Sequence, residues 1–174
     1  MNLRVLALSV LLLLAEVSLA VAAPGDQEDD DLPRQWQELE VQFPAAPVPE
    51  RLLPLYVSAA TANKFYIDGS SLSVGADQVV RYVLVVETPG GVRNVTFEGM
   101  RCESRSRRIY GSGRSDGSWS KARNSDWVRI LDAYANRQHA ALFLEYFCPF
   151  GNSVRTAAEA RDALVRGGHP DVRR

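Results

Sequence analysis

Residues 79–88 constrain the fold most, because this run reads VVRYVLVVET and is apolar on both faces of an extended chain. Alternate side chains of a strand point to opposite faces of its sheet. One face carries Tyr82, Leu84 and Val86, and the other carries Val79, Val83 and Val85. A strand with two apolar faces must be covered on both sides, so this run predicts a central strand.

The next predicted strand changes the parity of its apolar positions. Val95 and Phe97 occupy odd positions, whereas Met100 and Cys102 occupy even ones. A bulge at Gly99 would restore a single buried face, since one extra residue reverses the alternation. The alternative is that this strand is also covered on both faces. Either arrangement points Cys102 inward.

The later residues predict a hairpin and then helices. Two short strands are joined by Ser115, Asp116 and Gly117, a hairpin signal. Residues 136–147 predict a helix that ends at Cys148, and a capping-box pattern from Thr156 to Glu159 predicts a second helix. Strands followed by helices predict an α+β fold, a meandering antiparallel sheet packed by two C-terminal helices.

The N-terminus has the pattern of a secretory signal peptide. Arg4 precedes an apolar run over residues 5–15, and Ala20 and Ala22 offer two cleavage positions. The run is shorter than the roughly 20 residues that a spanning helix needs. We therefore expect export, with a periplasmic or peripherally envelope-associated protein and no transmembrane segment in the mature chain.

Composition divides the chain into four parts. The region from residue 26 to residue 50 has a net charge of −7, and the chain from residue 51 onward has a net charge of +6. The predicted parts are a signal peptide (1–22), an acidic, proline-rich leader (23–54), a single α+β domain (55–168) and a tail (169–174).

The leader contains residues that could cover the domain. Trp36, Leu39 and Phe43 are three and four residues apart. We interpret the leader as extended chain that packs these side chains onto the domain, with prolines 44, 47, 49 and 54 breaking regular structure. The same spacing also fits a short amphipathic helix before Pro44.

Export bears on the only two cysteines, Cys102 and Cys148. An even number of cysteines in an oxidising compartment favours one disulfide. A redox-active or catalytic thiol is the weaker interpretation, because the chain has neither a CxxC spacing nor a histidine near either cysteine in sequence.

Basic and aromatic residues concentrate in residues 97–119, FEGMRCESRSRRIYGSGRSDGSW. Such a composition would suggest nucleic-acid stacking in a cytosolic protein, but export argues against nucleic acid. The functional interpretation is a surface for an envelope component, anionic in character, or for a protein. The simpler interpretation is solvent-facing arginines above packed aromatics. The candidate binding residues are Arg105, Arg107, Arg108, Tyr110 and Arg114.

Catalytic and metal-binding signals are weak. The only histidines are His139 and His169, without cysteines or carboxylates at ligand spacing, so we expect no metal site and no cofactor. His169 falls in the predicted tail. An envelope hydrolase that uses Asp68, Glu98 or His139 remains the alternative to a non-enzymatic binding or structural module.

Several blocks together resemble a known family. These are FYIDGSSLSVGADQVVRYVLVV, NVTFEGMRC, the Tyr-Gly-Ser-Gly and Asp-Gly-Ser-Trp hairpin, Trp127 and HAALFLEYFCP. They resemble the cryptic neisserial protein-like family of Gram-negative bacteria, over about residues 36–168. The resemblance implies a small exported envelope protein of undetermined molecular function, with Cys102 and Cys148 matching the two cysteines of the family. It implies no active-site residues.

Overall fold

The computed structural model describes residues 35–133 and 137–172. The predicted signal peptide, the first part of the leader and the predicted helix start at residue 136 lie outside them. Eight antiparallel strands in the described residues form one open sheet. The strands are β1 (Leu52–Leu55), β2 (Lys64–Asp68), β3 (Ser73–Val74), β4 (Val79–Glu87), β5 (Arg93–Arg101), β6 (Ser106–Gly113), β7 (Trp119–Lys121) and β8 (Val128–Arg129).

The sheet is a meander in the order β1-β2-β4-β5-β6-β7. The short strand β3 pairs with β4 next to β2, and β8 pairs with β6 next to β7. Two helices follow in the chain. Helix α1 (Arg137–Ala141) continues as a π-helical stretch (Leu142–Phe147), and α2 spans Ala157–Arg166. The predicted α+β fold, with its meandering sheet and two C-terminal helices, is confirmed.

Strand β4 is central and covered on both faces, as its sequence predicts. The helix face of the sheet carries Tyr82 and Leu84, which are buried against α1, its π-helical continuation and α2. The rings of Tyr82 and Phe147 lie 5.3 Å apart at this interface. The opposite face carries Val83 and Val85, which form a second and smaller core.

Residues 36–48, here called the covering segment, lie over that second core. Val41 packs against the second core, and the ring of Phe43 stacks on Trp119 with centroids 5.7 Å apart. The short amphipathic helix predicted here is wrong, because residues 35–48 form neither helix nor strand. Their backbone groups bond to the sheet individually instead: the Trp119 indole N–H donates to the carbonyl of Pro44 at 2.7 Å.

Strand β5 resolves the parity change in favour of two covered faces. Its pairing with β4 runs without interruption from Val79–Arg101 to Glu87–Arg93, so the bulge predicted at Gly99 is wrong. The register shifts instead between β5 and β6, where Tyr110 is the extra residue. Gly99 is needed for a different reason, since a Cβ there would lie 2.3 Å from the Tyr110 hydroxyl.

Strands β1 and β8 were not predicted from the sequence. The prolines of the leader were expected to exclude regular structure, but β1 includes Pro54 opposite Tyr66. An edge strand tolerates proline because one side of its backbone has no partner strand. Strand β8 has only two residues, too few for a periodic signal.

The capping box of α2 is confirmed. The Thr156 hydroxyl accepts a hydrogen bond from the Glu159 N–H at 3.1 Å, and Glu159 accepts one from the Arg155 N–H at 2.7 Å. Gly167 ends the helix with a φ of 72°. His169, at the start of the predicted tail, is buried and its Nε2 lies 3.1 Å from a Glu159 carboxylate oxygen.

The predicted disulfide is present. Cys102 lies in the turn after β5 and is bonded to Cys148, at the end of the π-helical stretch, with a Cα–Cα distance of 5.5 Å. The bond therefore ties the sheet to the helix layer.

Removing this bond should destabilise the protein. Because the cysteines are 46 residues apart, the chain-entropy model predicts that Cys102→Ala with Cys148→Ala lowers the free energy of unfolding by about 4 kcal/mol. Urea unfolding measures the change, and the wild type in reductant should show a similar loss. An unchanged midpoint in both experiments would contradict the prediction.

Candidate functional site: a basic sheet edge beside two buried carboxylates

The structure does not bring the five predicted binding residues together in one surface. Arg107 lies opposite Met100, on the helix face, whereas Arg108 lies opposite Gly99, on the face of the covering segment. Arg105 lies in the turn before β6, and Arg114 follows the end of β6. Only Arg108 and Tyr110 meet, and they do so at a carboxylate that is not among the predicted site residues.

That carboxylate is Glu38 of the covering segment. It pairs with the guanidinium of Arg108 and accepts a hydrogen bond from the Tyr110 hydroxyl at 2.5 Å. The Trp127 indole N–H donates to it at 3.1 Å, and an Arg81 nitrogen lies 3.8 Å away. We call this group, Glu38 with Arg81, Arg108, Tyr110 and Trp127, the Glu38 cluster.

The Tyr110 hydroxyl remains a donor in this cluster. Burial and the neighbouring Glu38 carboxylate raise the pKa of Tyr110, because both disfavour the phenolate. Tyr110 therefore stays protonated and stabilises the Glu38 charge rather than competing with it.

Arg81 is the most deeply buried charge of this cluster. Its guanidinium pairs with Asp77 through contacts of 2.5 and 3.1 Å. Burial raises the pKa of Asp77, but the Arg81 hydrogen bond, the Leu39 N–H and the Arg81 charge lower it by more, so this pKa lies below its ordinary value. Asp77 is therefore ionised at neutral pH and compensates the buried Arg81 charge.

The sequence contained a signal for this arrangement. Arg81 interrupts an otherwise apolar strand, and a buried strand tolerates an arginine only with a partner. Asp77 lies four residues earlier. Glu38 gave no signal of its own, because it is one of eight acids in the acidic region.

A second carboxylate, Glu98, is buried under the helices. It accepts hydrogen bonds from the Thr96 hydroxyl at 2.7 Å and the Tyr82 hydroxyl at 3.2 Å, and His139 Nε2 lies 2.8 Å away. Burial raises the pKa of Glu98, but the charge and hydrogen bond of His139 and the Thr96 bond lower it below its ordinary value. An ionised Glu98 has the lone pairs to accept from both hydroxyls and to pair with His139.

The predicted hydrolase residues are therefore brought together only in part. Glu98 and His139 are in contact, but they are 2 % and 4 % exposed. Asp68 lies elsewhere and accepts hydrogen bonds from the backbone and hydroxyl of Ser70 at 3.0 and 2.7 Å, which fixes the turn after β2. General acid–base chemistry needs a substrate within hydrogen-bond reach, and the present packing seals the Glu98–His139 pair.

Along the β6 side of the sheet lie basic side chains that have no carboxylate within 4.0 Å among the described residues. Between Arg105 and Arg129 the chain has seven basic and two acidic residues. Within the described residues, only Arg108 of the seven has a carboxylate within 4.0 Å. The other six, here called the basic edge, are Arg105, Arg107, Arg114, Lys121, Arg123 and Arg129.

The residues of the basic edge lie within β6, in the turns at its two ends, or on and next to the strands that pair with its outer side, and they do not all share one face of the sheet. Strand β7 places Lys121 opposite Gly111, and β8 places Arg129 opposite Ser106. Arg105 lies over the Phe143 ring, 5.2 Å from its centroid. Lys121, Arg123 and Arg129 are exposed, so their charges are available to a partner.

An open cleft of about 480 Å³ lies near the C-terminal end of β5. Trp36, Arg101 and Gln78 line it together with the chain after the disulfide, Gly151 to Ser153. The Arg101 guanidinium covers the Trp36 ring at 4.0 Å from its centroid. This contact joins the covering segment to the end of β5.

Within residues 35–133 and 137–172, no three His, Cys, Asp or Glu side chains are grouped as a metal site would require. In the same part of the chain, no helix has the length and apolar character that would let it cross a bilayer.

The Glu38 cluster should contribute to stability. Glu38→Gln keeps the shape but removes the charge that Arg81 and Arg108 face, and we expect the free energy of unfolding to fall by about 2 kcal/mol. Urea unfolding measures this change. Glu40→Gln is the matched control, because Glu40 is exposed; equal losses in the two variants would show that the cluster has no special role.

Comparison with known proteins gives one match. Residues 31–165 match the model of the CNP1-like family. Neither the curated proteins nor the solved structures include a significant match to this chain. Because the matched residues make up most of the chain, the chain belongs to the CNP1-like family.

Proposed function

We propose that this protein is an exported component of the bacterial cell envelope, periplasmic or peripherally associated with the envelope, and that it binds an anionic envelope component without catalysis. The observation that carries the proposal is the basic edge, six positive side chains without a carboxylate partner among the described residues. Export is supported by the signal-peptide pattern of residues 1–22, and by the resemblance to the cryptic neisserial protein-like family.

The charge distribution supports an anionic partner. Grouped cations on one side of a domain create a positive potential that attracts anions and accelerates their association. Each lysine or arginine near an anionic surface contributes about 1 kcal/mol of binding free energy. Several such residues acting together give a useful affinity without a deep pocket.

The contacts of the predicted residues narrow the set that we propose for this purpose. Arg105 and Arg114 remain candidates, since neither has a carboxylate within 4.0 Å in the described residues. Arg107 also lacks one at that distance, but its charge acts on the buried Glu98 carboxylate. Arg108 and Tyr110 hold Glu38. A charge reversal at Arg108 would therefore disturb the covering segment and would not test binding.

Charge reversal of two exposed residues of the basic edge tests the proposal. Lys121→Glu with Arg123→Glu should weaken retention on isolated envelope fractions at least about 30-fold, since two contributions of about 1 kcal/mol are lost. Cosedimentation with envelope fractions at low ionic strength measures this, and added salt should weaken wild-type retention.

The opposite edge of the sheet, at β1 and β2, supplies a matched control. Arg51 and Lys64 are exposed, lack a carboxylate within 4.0 Å in the described residues, and lie immediately before β1 and at the start of β2. Arg51→Glu with Lys64→Glu makes the same change of charge and should leave retention nearly unchanged. Equal losses in the two double variants would show that net charge alone matters, and no loss in either would refute the proposal.

An envelope hydrolase is the second candidate, because Glu98 and His139 lie 2.8 Å apart. Their burial argues against it. We expect that wild type and His139→Gln incubated with purified envelope glycan release no soluble product, as measured by chromatography and mass spectrometry. Product released by the wild type and not by the variant would establish the hydrolase instead.

A further inference from the structure

One large apolar side chain, Phe150, is held in solvent. It is 83 % exposed, the highest value among the exposed large hydrophobic side chains of the described residues. It lies in the 3-10 turn Pro149–Gly151, immediately after Cys148, with a φ of 53° and a ψ of 25°. This left-handed conformation is unfavourable for a bulky residue, and burial of the ring does not compensate for it.

The turn that carries Phe150 is fixed at both ends. Cys148 is bonded to Cys102 before it, and after it the N–H of the fully buried Val154 donates to the carbonyl of Phe147 at 2.9 Å. The Ser153 hydroxyl donates to the carbonyl of Gln78 at 2.7 Å. The fold therefore positions the ring outward rather than leaving it on loose chain.

The Phe150 turn lies at the end of the sheet where the basic edge meets the β5–β6 turn. Cys102 opens that turn, and the Arg105 carbonyl in it accepts the Ile130 N–H at 2.8 Å. Ile130 is flanked in sequence by Arg129 and by Leu131, which is 57 % exposed. The turn between β5 and β6 is thus linked to the Phe150 turn through the disulfide, and to the segment that carries Arg129 and Leu131 through the Ile130 N–H.

We infer that this end of the sheet docks onto the surface of an anionic lipid bilayer, with Phe150 entering the interface and the basic edge contacting the head groups. The inference rests on the proposed function and names its anionic partner. Basic residues with exposed apolar side chains bind the interfacial region of anionic membranes, where both are accommodated. A polysaccharide would accept the charges and could stack its sugar rings on Phe150, but it has no apolar interior in which Phe150 and Leu131 could be buried.

Vesicle binding tests the inference. Wild type should bind vesicles of phosphatidylglycerol and phosphatidylcholine, and should bind vesicles of phosphatidylcholine alone much more weakly. Phe150→Ala should lower the partition coefficient for the anionic vesicles about tenfold, because one aromatic side chain no longer leaves water. Thermal unfolding should be nearly unchanged, since Phe150 lies outside both cores.

Tyr56→Ala is the matched control, because Tyr56 is an exposed aromatic residue that follows β1 on the other side of the sheet. It should leave vesicle binding unchanged. Phe150→Trp should retain binding and add a tryptophan signal that brominated lipid quenches more than it quenches the wild type.

Other outcomes would overturn the lipid assignment. Equal binding of anionic vesicles by wild type and Phe150→Ala would refute the role of Phe150. Salt-sensitive retention on envelope fractions without vesicle binding would refute the lipid partner but leave the proposed function intact. Loss of that retention after protease treatment of the envelope would assign the partner to a protein. The proposed function fails separately, if Lys121→Glu with Arg123→Glu has no effect on retention.

Discussion

The whole arrangement depends on a strand that is apolar on both faces. Strand β4 cannot face water on either side, so its sheet needs two covers. The helices provide one, and the disulfide fastens them to the turn after β5. The covering segment provides the other, although it has no regular structure of its own. The leader is thus partly a structural element, and its packing completes the second core.

Each face of this sheet buries charge, and each charge has its partners. On the segment face Arg81 is compensated by Asp77 and Glu38, and on the helix face Glu98 is held by His139 and two hydroxyls. Breaking such a group leaves an uncompensated charge in a poorly solvated site. These groups therefore stabilise the fold. Their charged side chains are engaged in contacts within the protein, although they are the residues that most resemble catalytic groups.

The residues that we propose for binding are those that contribute to neither core. Two residues of the basic edge, Lys121 and Arg129, lie on the short outer strands β7 and β8, where charged side chains also hinder pairing with other chains. Phe150 adds an apolar group at one end of this surface. Charge and exposed apolar area thus occur together where neither contributes to the core.

The sequence by itself determined the central strand, the two covered faces of β5 as one of two alternatives, the disulfide and the start of α2. Each of these follows from local periodicity, capping chemistry or cysteine count. It could not determine that Arg108 and Tyr110 bind Glu38, or that Glu98 meets His139, because these partners are far apart in the chain and meet only through strand register and packing. Nor could the sequence place the covering segment, because individual side-chain contacts, and not regular structure, hold it on the face of the sheet. Only the tertiary structure decided which arginines are structural and which have no carboxylate within 4.0 Å among the described residues, because that division depends on which face of β6 each one occupies and on what covers that face.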